Sequence, residues 1–171
     1  MATINEAKQA AAVVRDAGGR IVGRTRLQKI SFILEAAGLG TGFPFKYKYY
    51  GPYSEELSAA SDVAGVLGLL REIKQPASWG GSYSTYTTEM APDRNTPQAR
   101  LRIAQETVNT DAVELELAAT ALFLTREGVV NPWDETARRK PDKAANGRLQ
   151  QAKQLYERLR QIQTPQPLPR I

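Results

Sequence analysis

Between Lys46 and Tyr53 the chain sets Tyr47, Tyr49, Tyr50 and Tyr53 among Lys46 and Lys48. Phenol rings interleaved with amines can stack on bases while the lysines hold phosphates, and tyrosine is equally favoured as an anchor in protein interfaces. A second group, Arg20, Arg24, Arg26 and Lys29, has no acidic residue near it from Ala17 through Leu34. Arg24 and Arg26 stand where a helix should begin, so backbone amides would add to their attraction for an anion. The competing reading is solvated charge beside a helix cap. Trp79 falls in the turn-rich stretch Pro76 to Gly81, where an exposed indole would anchor a partner or fold back on its own hairpin.

Catalysis has little to work with. The chain contains no cysteine and no histidine, which excludes disulfides, thiolate metal sites, cysteine nucleophiles and the commonest general base. The obvious carboxylates for an enzyme are Asp111, Glu114 and Glu116, and Asp134 with Glu135. Asp111 and Glu114 are accounted for as a helix cap and its partner, and Glu116 lies off their face. No glycine-rich phosphate loop, calcium loop or nucleophile elbow occurs. We therefore expect no enzyme, no metal and no cofactor, and a protein that works by binding.

The elements that must position these side chains follow from periodicity and capping. Thr3 with Glu6 opens a helix whose stripe is Ile4, Ala7, Ala11 and Val14, and Gly18 with Gly19 ends it. A second capping box, Thr25 with Gln28, opens a helix facing inward through Leu27, Ile30, Ile33, Leu34 and Ala37; the pair reads as a helical hairpin. Phe43 to Tyr50 alternates as a strand, interrupted by Gly51 and Pro52. Ser54 then caps a third helix with Glu55 and Glu56 in its first turn. Leu69 to Lys74 and Ser82 to Glu89 read as strands flanking the Trp79 tip. Helices open at Thr96-Pro97 and at Asp111, and a last one runs from about Gly147 to Ile162.

Three helices followed by a hairpin is the order of a winged helix. The expected fold is mainly α with a small β-hairpin, a winged-helix-like part over 1–91 and helices over 92–163 packed into one domain, with a loose, proline-rich tail over 164–171. No apolar run is long enough for a signal peptide or a membrane span, which with the absent cysteines points to the cytoplasm and to no membrane partner.

Two motifs carry a resemblance: Gly23-Arg24-Thr25-Arg26-Leu27-Gln28-Lys29-Ile30, and Tyr49-Tyr50-Gly51-Pro52-Tyr53-Ser54-Glu55-Glu56-Leu57. In combination, and with the apolar run Leu117 to Leu124 and Lys140-Pro141, they resemble the YwgA-like family of small prokaryotic proteins. More distantly they resemble the SocA or Panacea antitoxin domain, from which the chain departs after its Gly-Pro turn. The resemblance implies a helical domain with a winged-helix-like core and a part in regulation, toxin neutralisation or phage defence.

The net charge of +5 invites nucleic acid, and Arg138 to Arg160 holds eight basic residues against two acidic ones. That run reads as an anion-attracting segment or as a solvated helix face. The helix in the recognition position argues against a plain transcription factor, because Ser54 to Leu67 carries Glu55, Glu56 and Asp62 and no lysine or arginine. The function expected is regulatory or antitoxin-like binding of a protein partner. The alternative is a nucleic-acid-binding regulator using the basic patch around Arg24 and the basic C-terminal helix.

Overall fold

A computed structural model describes residues 2–171. The order is α1 (Ile4–Asp16), β1 (Arg20–Val22), α2 (Arg24–Ala36), β2 (Lys46–Lys48), β3 (Gly51–Tyr53), α3 (Glu55–Val66), β4 (Arg71–Pro76) and β5 (Ser82–Thr87), then α4 (Gln98–Val108), α5 (Ala112–Arg126), α6 (Pro132–Arg139), α7 (Pro141–Ala144) and α8 (Arg148–Arg160). The protein is mainly helical, with a winged-helix-like N-terminal part and a C-terminal helix bundle.

Three antiparallel strands in the order β1-β5-β4 make the wing sheet, Ile21 lying opposite Tyr86 and Ile73 opposite Thr85. The short β1 was not expected from sequence, where Gly18 and Gly19 read only as a helix stop. It separates α1 from α2, so the two do not form the simple helical hairpin anticipated. β2 and β3 form a separate two-stranded sheet inserted between α2 and α3, where a helix-turn-helix would have a short turn.

Most caps are those the residue types dictate. Thr3 accepts from Glu6 N, Ser54 from Leu57 N, and Asp111 from Val113 N and Glu114 N. The second capping box does not form: α2 starts one residue before Thr25, on Gly23 at φ 99°, with no side-chain cap. Gln28 is used elsewhere. Two helices beyond those expected, α6 and α7, each begin on a proline at the first helical position. There the missing N–H costs nothing and the fixed φ suits the helix.

One cluster of buried side chains runs from Ala7 on α1 through Ile30, Ile33 and Leu34 on α2, Leu115 to Leu122 on α5 and Leu155 and Leu159 on α8, and includes Leu168. α5 lies at its centre, buried on nearly every face. Trp133 wedges edge-on against Tyr156, with ring centroids 6.0 Å apart. Burial pushes the Tyr156 phenol above its ordinary range, and its hydroxyl donates to Pro169 O at 2.5 Å. Gln166 N donates to Ala37 O at 3.0 Å. Residues 164–171, whose composition suggested a loose tail, are thus packed on the body through Leu168 and these bonds. Arg100 ties three elements together by donating to Asp16 Oδ2 at 2.6 Å and Leu39 O at 2.8 Å.

Candidate functional site

The two motifs of the resemblance meet in space. Gln28, buried on α2, donates from its amide nitrogen to Ser54 O at 2.9 Å and accepts from Ser54 N at 2.8 Å. Next to it Lys29 donates to Pro52 O at 2.7 Å. The side chains of α2 therefore hold the β3 backbone as a neighbouring strand would, across 23 to 26 residues of sequence. Gly51 at φ 90° turns the chain into β3 and packs on α5: a Cβ there would come within 2.5 Å of Thr120 Oγ1. Proline is tolerated in β3 because a two-stranded sheet leaves β3 an edge strand, where its missing N–H is not needed; it lies opposite Tyr47, and its carbonyl goes to Lys29.

The same hairpin is held from its tip. Lys140, buried just past α6, donates to Tyr49 O at 3.1 Å and to Glu116 Oε2 at 2.9 Å. Lys143 donates to both Glu116 oxygens at 3.0 and 2.8 Å. Glu116 itself is buried, set between Leu115 and Leu117 on the most apolar helix of the chain. Lys29, only 1% exposed, has its amine held down at about 7, chiefly by burial and with Glu116, Lys140 and Lys143 acting in opposite senses.

What this scaffold displays is the turn Tyr49-Tyr50. Tyr49 is 94% exposed and Tyr50 59%. Of the other rings, Tyr47 faces inward against Phe123, centroids 5.9 Å apart, under the Arg139 guanidinium at 4.9 Å. Tyr53 is half-buried beneath Lys48, whose amine pairs with Glu55. Lys46 is exposed. A cleft of about 230 Å³ between this face of the hairpin and the start of α3 is lined by Pro44, Lys46, Lys48, Tyr53, Glu55 and Glu56.

The basic group near α2 is not one exposed patch. Arg24 donates to Glu72 Oε2 at 2.8 Å, and Glu72 also accepts from Ser84 Oγ at 2.5 Å. Arg26 is half-buried and closes the end of α4 by donating to Thr107 O at 3.3 Å and to Thr110 O, and burial lowers its pKa. Lys29 is enclosed, as above. Of the four, Arg20 and Arg24 are exposed, Arg24 paired with Glu72 and Arg20 with no ion pair among the described residues.

The basic C-terminal run is likewise largely matched. Arg138 and Arg139 share Glu135, whose carboxyl they push down to about 2. Arg158 pairs with Glu106 and Arg160 with Glu157. Trp79, at the wing tip, is 73% exposed, yet its ring lies over Gly81, where a Cβ would meet it at 1.8 Å. It is folded back and open to solvent at once.

Sequence reasoning missed Gln28, Glu116, Thr120 and Lys140 as the base of this site. One signal was available: a glutamate inside an apolar helix must find buried cations, because an isolated buried carboxylate is too costly to keep charged. Among the described residues no group of three or more His, Cys, Asp or Glu side chains could hold a metal ion. Nor is any helix among them long and apolar enough to cross a membrane.

No family model matches the chain, and no solved structure matches it. A curated relative does: the chain is 32% identical over 161 residues to the uncharacterized protein YwgA of Bacillus subtilis (strain 168), covering 84% of this chain and 90% of that protein. That extent shows the family. It supports the YwgA part of the resemblance seen in sequence, and the SocA or Panacea part gains nothing from it.

Proposed function

We propose that this chain, which belongs to the YwgA family, is a non-enzymatic binding module that docks a protein partner through the Tyr49-Tyr50 turn of its β2–β3 hairpin. The observation that carries the proposal is the combination of display and restraint. Two large aromatic side chains stand in solvent, 94% and 59% exposed, on a turn held by Lys140 at Tyr49 O, in a hairpin whose far end Lys29 and Gln28 hold at Pro52 and Ser54. Exposed tyrosines on a mobile loop would lose much of their contact energy to ordering on binding; on a held turn that cost is already met. Buried hydrogen bonds are a costly way to hold a loop that has nothing to present.

The context proposed is regulatory or antitoxin-like, as in toxin neutralisation or phage defence, with action in the cytoplasm. What supports it is the motif pair Leu27-Gln28-Lys29 and Gly51-Pro52, the features of the antitoxin-domain resemblance, which here fold into one clip beneath the turn. The absence of cysteine and histidine favours binding over catalysis. A nucleic-acid partner is the second reading. Arg20, Lys46 and Arg148 are exposed, with no ion pair among the described residues, but Arg24, Arg138, Arg139 and Arg158 already pair with carboxylates and Arg26 with backbone carbonyls.

The test is affinity capture from the source cells with the wild-type chain, the Tyr49→Ala/Tyr50→Ala variant and the Arg20→Ala variant. The expected result is a discrete protein that the tyrosine variant loses and the arginine variant keeps. Retention of nucleic acid that falls steeply with salt, unchanged by the tyrosine substitutions, would overturn the proposal in favour of phosphate recognition.

A further inference from the structure

We infer that the partner presents a carboxylate, either an Asp or Glu side chain or a chain terminus, to the corner formed by Tyr50 and Lys143. The inference rests on the proposed docking at the hairpin and names the chemistry of the group received there.

The cluster beneath the hairpin is unbalanced in charge. Three amines, Lys29, Lys140 and Lys143, gather about one carboxylate, Glu116. Lys140 and Lys143 both spend their ion pair on it, while Lys29 has a neutral carbonyl as its acceptor. Burial first, and then the like charges of Lys140 and Lys143, hold the Lys29 amine down against the pull of Glu116. A further anion placed against the group would relieve it, and at low dielectric that attraction is stronger than between solvated surface charges.

An anion can approach from one side. Lys29 and Lys140 are buried, but the Lys143 side chain is 34% exposed, and its ammonium lies 4.8 Å from the Tyr50 ring centre. An ammonium has three N–H donors. With both contacts of Lys143 made to one carboxylate, at least one donor is left over on an ammonium that lies over the Tyr50 ring. A carboxylate arriving there would meet the amine directly, with the phenol ring beside it as its apolar wall.

A single carboxylate suits the surroundings better than a polyanion. Exposed Glu55 and Glu56 begin α3 directly after the hairpin, Glu55 pairs with Lys48 of β2, and exposed Asp62 follows on the same helix. A phosphate backbone laid across this region would meet those acids at its regular charge spacing. A partner with one placed carboxylate need not, and like charges elsewhere on the partner would be turned away, which adds specificity.

The probe is a capped tetrapeptide with one glutamate among glycines, titrated into the full chain carrying ε-13C lysine and ring-labelled tyrosine and followed by NMR. The same peptide with glutamine in place of glutamate, inorganic phosphate and oligothymidylate serve as comparisons. The expected result is saturable shifts at Lys143 and Tyr50 with the glutamate peptide, absent with the glutamine peptide, weakened by about tenfold in Lys143→Gln and retained in Lys143→Arg. A thermal melt confirms that Lys143→Gln remains folded; if it does not, the glutamine-peptide comparison on the wild-type chain decides alone. Three results overturn the inference: no localised shift with the glutamate peptide up to its solubility limit, equal shifts with inorganic phosphate, or tighter binding of oligothymidylate. A captured protein lost on Tyr49→Ala/Tyr50→Ala alongside a silent glutamate-peptide titration would remove this inference and leave the docking proposal standing.

Discussion

The protein carries two β-hairpins, each with an aromatic tip, and they are held in opposite ways. The wing, β4–β5, has strands of six residues and pairs with β1, so backbone ladder bonds fix it along its length. Its side-chain support is Tyr86 of β5 and Ile21 of β1, packed in the core, and the partly exposed Arg24–Glu72–Ser84 group. The β2–β3 hairpin has strands of three residues and, among the described residues, no further strand beside it. A hairpin that short has no stability of its own in water. Its place is set by Gln28, Lys29 and Lys140, reaching from outside the sheet to its backbone. The wing is held by backbone ladders, those with β1 included; the short hairpin is held by side chains of distant helices.

Breaking that difference should begin with Gln28. Gln28→Ala leaves the buried Ser54 N–H without a partner and takes from the Ser54 carbonyl one of its two donors, Ser58 N remaining, and should cost about 2–4 kcal/mol in urea unfolding, with Tyr49 and Tyr50 gaining mobility by NMR. Removing the wing's Glu72 by Glu72→Ala should cost about 1 kcal/mol, since its partner Arg24 can turn to water and only the buried Ser84 hydroxyl loses its acceptor. Equal losses from the two substitutions would erase the contrast.

Gly51→Ala should come next, at roughly 2–3 kcal/mol, from the positive φ and the collision with Thr120 Oγ1. Adding Thr120→Ala should recover the part due to collision and leave the part due to φ.

Whereas in the wing Glu72 is held below its ordinary range and Tyr86 is pushed up to about 12, Lys29 gives the hairpin a pH signature in the range above neutrality. Its amine sits at about 7 in the folded chain against an ordinary 10.5. Between those values the unfolded chain binds more protons, so stability should rise with pH across that window, and the gain should be absent below about 7. In urea melts at several pH values, Lys29→Met should flatten the rise. A rise that persists in the variant would place its origin elsewhere.

The smallest stability effect belongs to the display residues. Tyr49→Ala/Tyr50→Ala and Trp79→Ala should each shift stability by no more than about 0.5 kcal/mol, because these side chains stand largely in solvent. Only the tyrosine pair should weaken partner binding. A clear loss of binding with Trp79→Ala would move the docking surface to the wing.

What the sequence disclosed follows the same division. The wing was legible because Leu69 to Glu89 states its strands and turn locally, and the caps Thr3, Ser54 and Asp111 lie within three residues of the amides they bind. β3 was not, because Gly51-Pro52 is locally an interruption; only the Lys29 bond to Pro52 O makes it a strand worth keeping. Gln28 was misread for the same reason. Its spacing from Thr25 suggested a cap, whereas its partners lie 26 residues away. The tyrosines and lysines drew attention by type, but which of them face out depends on α5 and α6, as Tyr47 under Arg139 illustrates. The apparent basic patch dissolved because Arg24 and Arg26 found acceptors 48 and 81 residues distant.

The most direct measurement places a photoreactive phenylalanine analogue at position 49 and, in a second chain, at position 79, and irradiates each in the source cells. If the held tyrosine turn is the docking surface, position 49 gives a discrete protein adduct and position 79 gives none. An adduct from position 79 alone, or nucleic acid as the species joined at position 49, would contradict it.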